Sequence, residues 1–469
     1  MQISEELKEK FVDRDGKKLL TLYFPELNLT LEGDHFYDDS MSLEEYLLDG
    51  SSIEFVGCLS SAFSIELHDV SASLKGKRIE ASITIEGFED EETIPLFNGY
   101  VDSVKTRLED SWKAITCYDD LYSKASDIDI ADWYNTLLPT DSSTVTMLNF
   151  RNSLFTELGI TQEETELPND DLVIKKEYDP KTLNALKTIK SICQLNGVFG
   201  IMNRDGIFEY RGLSGITYSL NPSEETNPGD ETYPGVLSDE EESIPLYMDM
   251  KYEDFDVYAI NKVLLRDSED DSGVSYGTGT NVYIVQNNMF VYGLSAETKA
   301  TIARNIYSNV AGFGYKPFDA TNVGYPFLEV GTRINYMVQD YTSGSGTLVE
   351  VSSFVLNRRL KGIQQLIDSY NAAGEEYQKA FITDLQAQLD TIKRNSVNPD
   401  DYYTKDDMDT MMSSYMPLET AEEAITEITD TALAQMTQPT TLAVQSVYTL
   451  PSTRNANTIY LVQGGIIIQ

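Results

Sequence analysis

Residues 79–86, IEASITIE, alternate apolar and polar side chains without a break. A period of two predicts a β-strand with one buried face and one exposed face. The segments PLFNGYVDSV (95–104) and WKAITCYDD (112–120) follow a similar pattern, and a further strand is expected at 19–24, after a short amphipathic start. We therefore expect residues 1–122 to form a first small β-barrel or sandwich.

Helical spacing replaces this alternation between residues 123 and 196, which we expect to form a mixed, mainly helical domain. One helix is predicted to end at Gly159, a residue type that commonly terminates helices. A second helix is predicted to begin at an Asp179 N-cap, with Pro180 in its first turn, and to end at Asn196-Gly197. Its apolar face comprises Leu183, Leu186, Ile189, Ile192, Cys193 and Leu195.

Strand patterns return in a second β-rich unit. VFGIM (198–202) and IFEYR (207–211) flank an Asp-Gly pair, which favours a hairpin turn. The acidic, proline-rich residues 221–245 predict an exposed loop. Residues 197–255 therefore form the hairpin and loop of this unit, and residues 256–365 supply its remaining strands and one helix at about 295–310.

Beyond residue 365 the composition changes, and residues 366–440 predict a helical stalk. Apolar residues are spaced three and four apart, as in a coiled-coil seam. The seam residues are Ile382, Leu385, Leu389, Ile392, Leu418, Ala421, Ile425, Ile428 and Ala432. The alternative is a helix packed on its own domain. Self-association is favoured because residues 370–440 contain little other apolar material. Residues 441–469 predict a small β-segment with a hairpin at Gly464-Gly465.

The chain of 469 residues carries 77 Asp and Glu against 35 Lys and Arg, a formal net charge of −42. Such a field repels nucleic acid and anionic membranes. Two interpretations remain open. The charge keeps an abundant protein soluble, or it lines a surface along which another polyanion slides.

Few residues suit catalysis or metal binding. His35 and His68 are the only imidazoles, and neither belongs to an HExxH motif. The sequence contains no GxSxG elbow, Walker A loop or dinucleotide-binding fingerprint. An acidic pair for glycoside hydrolysis stays open, because such a pair is defined in space. We expect no catalytic, cofactor-binding or metal-binding residue.

Three further patterns are weak signals. Cys58, Cys117 and Cys193 lie far apart and predict neither a disulfide framework nor a zinc site. Residues 267–273, DSEDDSG, resemble a calcium loop, but the glycine is one place late and the closing Glu is missing. Residues 277–279 predict a flexible hairpin tip. The acidic start does not fit a signal peptide, and no stretch approaches the ~20 apolar residues of a membrane helix.

Several pieces, read in order, resemble the tail hub proteins of phages that infect Gram-positive bacteria. This family includes baseplate hubs, tail tip proteins and the N-terminal part of tail-associated lysins. The first pieces are FNGYVDSV with ITCYDDLY after it, ADWYN, and LNGVFGIMNRDGIFEYRGL (195–213). Further on come GYKPFDATNVGYPFLEVGTRI (314–334) and FVLNRRLKGIQQLIDSYNAAG (354–374). The resemblance covers about residues 1–370.

The resemblance implies an α+β fold, mainly β. Two barrel-like tube domains would carry mixed α/β peripheral domains, followed here by the C-terminal helical stalk and the small β-segment. Three chains would form a pseudo-sixfold ring that closes the tail tube. The implied partners are a distal tail or tube protein ring, the tape measure protein, and tip, spike or fibre proteins. DNA would pass through without specific binding, since lumen carboxylates repel phosphates.

The expected function is therefore a homotrimeric structural hub at the virion tail tip, made in the bacterial cytoplasm, which opens for DNA ejection. It is expected to need no cofactor and to perform no catalysis, because the wall-cutting domain of tail-associated lysins has no counterpart in this sequence. YYTKDDMD (402–409) is similar to pieces that introduce trimeric stalks in phage fibres. The alternatives are a receptor-binding fibre for host cell attachment, the hub of a phage-derived contractile particle, and a cell-wall hydrolase with an acidic pair.

Overall fold

The computed structural model describes residues 4–12, 16–37, 39–50, 53–87, 92–107, 111–176, 183–213, 217–222, 246–340, 347–376, 443–447, 458–462 and 465–468. The contacts divide the chain into two compact units, Met1–Thr391 and Ile392–Gln469. In the first unit, two β-rich regions flank a mainly helical one.

In its described residues, the first β-rich region contains one α-helix and seven β-strands. They are α1 (Glu5–Val12), β1 (Lys18–Phe24), β2 (Leu29–Glu32), β3 (Ser42–Tyr46), β4 (Ala62–Leu67), β5 (Arg78–Ile85), β6 (Ile94–Arg107) and β7 (Trp112–Tyr118). Two short 3₁₀ helices, Pro25–Leu27 and Gly33–His35, flank β2. The predicted alternation is confirmed, since β5 buries every second side chain from Ile79 to Ile85.

The helical region follows directly. It contains α2 (Asp120–Ala125), α3 (Ala131–Leu137), β8 (Thr144–Thr146), α4 (Met147–Leu158), β9 (Val173–Lys175) and α5 (Ala185–Asn196). Gly159 and Gly197 end α4 and α5 in the left-handed conformation, as predicted. The predicted start of α5 is wrong. Asn184 is the N-cap and accepts the Lys187 amide hydrogen bond, so Asp179 and Pro180 precede the helix and lie outside the described residues.

The second β-rich region begins with the expected hairpin of β10 (Phe199–Met202) and β11 (Phe208–Arg211). The elements that follow are β12 (Thr217–Pro222), β13 (Leu246–Tyr252), β14 (Lys262–Arg266), β15 (Val274–Gly277), β16 (Val282–Gln286), α6 (Ala296–Val310), β17 (Phe318–Val323), β18 (Arg333–Asp340), β19 (Thr347–Phe354), β20 (Asn357–Lys361) and β21 (Ile367–Ala372). Helix α6 matches its prediction, with Ser295 as N-cap.

Two boundaries differ from the sequence predictions. The exposed loop was expected to begin at residue 221, but residues 221–222 belong to β12 and pair with the start of β13. The stalk was expected to begin at residue 366, but β21 pairs along its length with β17 and β20. Its alternating buried residues make it a sheet strand rather than a helix. The predicted boundaries at residues 122, 196 and 255 stay predictions.

The acidic run at 267–273 is the turn between β14 and β15, which pair antiparallel. The buried Lys299 on α6 approaches two of its carboxylates, with Nζ 2.7 Å from Asp267 Oδ1 and 3.7 Å from Asp271 Oδ2. A protein cation therefore lies against this turn. The interpretation of residues 277–279 as a hairpin tip is wrong, because β14 lies between β15 and β16 and the segment crosses from one side of β14 to the other.

Fourteen of the described strands form one sheet, in the order β19-β18-β12-β13-β17-β21-β20-β3-β4-β7-β6-β5-β1-β2. The order divides into two runs of seven strands. The run from β19 to β20, the C-terminal half-sheet, comes from residues 217–372, and the run from β3 to β2, the N-terminal half-sheet, comes from residues 18–118. They meet where β3 and β20 pair antiparallel, Leu43 opposite Leu360.

In each half-sheet, residues next to one strand form hydrogen bonds to another strand that is distant in this order. After β2, residues 35–37 lie along residues 66–68 at the end of β4, with a bridge between Phe36 and Leu67. In the C-terminal half-sheet, Lys316, just before β17, donates its amide to Ser352 O in β19 at 3.1 Å and accepts the Ser353 hydroxyl at 2.6 Å. Each half-sheet therefore curls toward itself.

The second unit contains the strands β22 (Ala443–Val447), β23 (Thr458–Val462) and β24 (Gly465–Ile468). Strand β23 pairs parallel with β22 and antiparallel with β24, which agrees with the predicted small β-segment and its hairpin. The nine predicted seam residues of the stalk lie outside the described residues. None of the helices in the described part of the chain combines the length and apolar character needed to cross a membrane.

Candidate functional site

The strand pair β3 and β20 places Glu45 directly opposite Arg358. Both side chains are on buried faces, since β3 buries Leu43 and Glu45 and β20 buries Arg358 and Leu360. Arg358 is only 2% exposed. Cross-strand neighbours of opposite charge attract each other, and burial strengthens this attraction. The contact between the two half-sheets therefore has a pair of charges at its centre.

All three nitrogens of the Arg358 guanidinium donate hydrogen bonds. Nε and Nη2 bind the carboxylate of Asp368 on β21, at 3.0 and 2.7 Å. Nη1 donates to Glu45 Oε2 at 3.1 Å and to the carbonyl of Leu328, and Nη2 donates to the carbonyl of Tyr325 at 2.9 Å. The planar group thus joins two carboxylates and a loop, a geometry that a lysine cannot reproduce.

A second arginine reaches the same carboxylate from the β10–β11 hairpin. Arg204 Nε and Nη2 form a two-pronged contact with Glu45 at 2.9 and 2.8 Å. The Asn203 side chain accepts the amides of Asp205 and Ile207 and so fixes the turn from which Arg204 projects. The hairpin is thereby attached to the contact between the half-sheets. We call Glu45, Arg204, Arg358 and Asp368 the ionic junction.

The ionic junction also holds the loop of residues 325–330 between β17 and β18. Arg204 donates to the carbonyls of Pro326 and Leu328, and Arg358 donates to Leu328 as well. Arg211 donates to the carbonyl of Val330 at 2.8 Å and pairs with Glu329 at 2.6 Å. Buried carbonyls without partners are costly. The arginines therefore allow a loop to lie inside the protein.

The protonation states follow from this geometry. Burial raises the pKa of Glu45, but the charge and hydrogen bonds of Arg204 and the charge of Arg358 outweigh it, so the pKa lies below the ordinary value of 4.5. Burial raises the pKa of Asp368 above 3.8, while Arg358 and the Tyr370 hydroxyl, 2.8 Å from the carboxylate, favour the charged form. The junction thus brings two arginines and two acidic side chains into contact.

A buried ion pair is not a strong source of net stability, because desolvation offsets much of the attraction. Its main effect is to disfavour other arrangements of the two half-sheets. A shifted β3–β20 register, or separated half-sheets, leaves charges buried without partners, and one such charge costs about 3–5 kcal/mol. The ionic junction therefore specifies one register between the half-sheets. The arrangement suits a rigid structural body.

The sequence prediction named only the stalk residues as a site, and these are not among the described residues. It missed the ionic junction. The two histidines, treated as separate, lie together: His35 Nδ1 is 3.1 Å from the carbonyl of His68, and the ring centroids are 6.3 Å apart. Within the described ranges, no group of three or more His, Cys, Asp or Glu side chains could hold a metal ion.

Arg358→Met should destabilise the protein by about 3–5 kcal/mol, because it leaves Asp368 and part of Glu45 buried without a positive partner. Arg359→Met is the matched control. This neighbouring arginine is half exposed and pairs with Glu44 at 3.0 Å, so its loss should cost less than about 1 kcal/mol. Urea unfolding curves of the two variants measure the difference, and equal losses would contradict the assigned role of the junction.

Acid should weaken the protein through Glu45. Its folded pKa is lowered, so its stabilising contribution is present above about 4.5 and is lost as the pH falls through the folded value. Glu45→Gln should be less stable than the wild type at neutral pH and should lose less stability on acidification below pH 4.5. Free energies of unfolding measured across this pH range test whether Glu45 loses its stabilising contribution on acidification. Parallel pH profiles for the two proteins would exclude Glu45 as a contributor.

No protein family model matches the sequence, and no curated protein matches it. Among solved structures, the chain is similar to the tail protein from Neisseria meningitidis MC58, at 11% identity and a TM-score of 0.44, over 77% of this chain and 98% of that one.

Two further solved structures are similar to the chain. The 43 kDa tail protein of prophage MuSo2 from Shewanella oneidensis shows 12% identity and a TM-score of 0.42, over 76% of this chain and 97% of that one. The prophage tail protein gp18 from Listeria monocytogenes EGD-e shows 11% identity and a TM-score of 0.41, over 80% of this chain and 99% of that one. These three solved structures are tail proteins, two of them from prophages.

Proposed function

We propose that the chain is a structural phage tail protein, and more specifically a hub that closes the tail tube as a homotrimer at the virion tail tip. One observation carries this proposal: three sequence pieces that resemble tail hub proteins meet at the ionic junction. Arg204 lies in 195–213, the bound carbonyls lie in 314–334, and Arg358 with Asp368 lies in 354–374. The resemblance therefore concerns residues that contact one another in the interior.

The half-sheets support the two tube domains of this proposal. Each has seven described strands. Residues next to one strand bond to a distant strand of the same half-sheet, at residues 35–37 with 66–68 and at residue 316 with 352–353. We infer that each half-sheet forms a barrel-like unit. Curling also leaves fewer exposed strand edges, which otherwise invite aggregation. Two such units per chain would give six positions in a ring of three chains.

The ionic junction gives these two units a fixed relation within one chain. A hub that joins a tube above to a tip below must not deform at the boundary between its own units. The buried charged groups meet this requirement because they find their partners in only one β3–β20 register. Every other register leaves a buried charge without a partner. The proposed partners are a distal tail or tube ring, the tape measure protein, and tip, spike or fibre proteins.

No catalytic step belongs to the proposal. The buried charges described above face one another and backbone carbonyls, as in a structural network. The net charge of −42 fits a passage for DNA that does not bind phosphates. The stalk residues would hold three chains together through their seam.

The mass of the protein in solution tests the trimer. Light scattering of the full-length chain should give about three times 52.7 kDa. A version that ends at residue 376, the last described residue of the first unit, should be a monomer. It keeps every strand from β1 to β21 and should remain folded.

Two single substitutions distinguish the effect of the predicted seam residues from the effect of other stalk residues. Ile425→Asp places a charge in the predicted seam and should reduce the mass to that of a monomer. Thr426→Asp adds the same charge one residue away, outside the seam, and should leave the trimer intact. A full-length monomer, or equal effects of both substitutions, would contradict the stalk-mediated trimer.

A further inference from the structure

Two thiols that are distant in sequence lie side by side in the interior. Cys58 Sγ and Cys193 Sγ are 3.7 Å apart, although 135 residues separate them. Cys58 lies in the connection between β3 and β4, and Cys193 lies in the last turn of α5. Both are free and buried, at 2% and 0% exposure. The pair therefore joins the first β-rich region to the helical region.

The backbone around the pair is fitted to this approach. Cys58 has a positive φ of 55°, an uncommon conformation for a residue with a side chain. Its amide donates to the carbonyl of Gly200 at 2.6 Å, and the Gly200 amide donates to Val56 at 3.0 Å. These bonds fix the turn against β10 and keep the Cys58 thiol directed at α5.

Gly200 provides the space in which the sulfurs meet. A Cβ at this position would lie 2.6 Å from Cys58 Sγ and 2.8 Å from Cys193 Sγ. Gly57 is similarly constrained, since its φ is +56° and a Cβ there would lie only 2.8 Å from the Gly200 carbonyl oxygen. Two glycines thus permit the close approach of two thiols, which a random pair of buried cysteines does not require.

We propose that Cys58 and Cys193 are a modification site, a dithiol that peroxide-class oxidants close to a disulfide. A disulfide needs a sulfur–sulfur distance of about 2.05 Å, so the sulfurs must approach by less than about 2 Å. The proposal requires side-chain rotation to cover this distance. The cross-link would tie the β3–β4 connection to α5.

The reaction balances with hydrogen peroxide as the oxidant. One thiol, as its thiolate, attacks a peroxide oxygen; the O–O bond breaks, and a sulfenic acid and one water form. The second thiol then attacks the sulfenic sulfur, the S–S bond forms, and a second water leaves. Two thiols lose two electrons and two protons in total, and the peroxide is reduced to two waters.

The buried position makes the reaction slow rather than absent. Burial raises the pKa of Cys193 well above its ordinary value, and the contact with Cys58 raises it further, so little thiolate is present. A reducing cytosol keeps such thiols reduced, and prolonged exposure to an oxidising medium converts them to the disulfide. Closure restricts the unfolded chain over a long loop and so should raise the thermal unfolding midpoint.

The test is peroxide treatment of the folded full-length protein, followed by alkylation of the remaining thiols and peptide mapping without reduction. The expected product is one cross-linked peptide pair containing Cys58 and Cys193, with Cys117 alkylated. The unfolding midpoint should rise by several degrees and return to its starting value after reduction. This arm needs no variant and so does not depend on a substituted chain folding.

Three single variants complete the test. Cys117→Ser removes the third buried thiol and should leave both the cross-link and the rise in the unfolding midpoint unchanged. Cys58→Ser and Cys193→Ser should each abolish both. The proposal is overturned if the folded wild type yields no Cys58–Cys193 peptide, if that peptide forms only after denaturation, or if the midpoint rises equally in Cys58→Ser.

Discussion

The pairing of Glu45 with Arg358 across β3 and β20 is the contact on which the arrangement of the first unit depends. It is the point where the two half-sheets meet, and Arg204 and Asp368 complete its charge balance. If the contact between β3 and β20 were purely apolar, the two strands could slide by two residues, because a strand repeats its faces with that period. Buried charges do not tolerate it, since each must find its partner at hydrogen-bond distance. Register and relative position of the half-sheets thus follow from a few polar atoms.

The same constraint extends to segments that have no regular structure. The loop of residues 325–330 runs through the interior, where its carbonyls need donors. Arg204, Arg358 and Arg211 supply them, so these carbonyls have hydrogen-bond partners inside the protein. Arg204 and Arg211 belong to the β10–β11 hairpin, so their bonds also attach the hairpin to this loop. These interior donors make the loop and the sheet a single unit.

Local features of this fold could be predicted from the sequence, and long-range pairings could not. The alternation at residues 79–86 identifies β5, and Asp205-Gly206 identifies the β10–β11 turn, because period and turn chemistry are written in neighbouring residues. Nothing near Arg358 indicates that its partner is Glu45. A signal did exist: both charges fall in phase with a buried leucine two residues away. Such a position predicts a buried charge without naming its partner.

We propose that the two joined half-sheets of each chain alternate around a threefold ring. Electron cryo-microscopy of the purified full-length protein, viewed along the symmetry axis, measures this arrangement directly. The account predicts a threefold ring of six similar lobes around a lumen, in which half-sheets from residues 18–118 and 217–372 alternate. A single chain without symmetry, or a ring lined by only one of the two half-sheets, would contradict it.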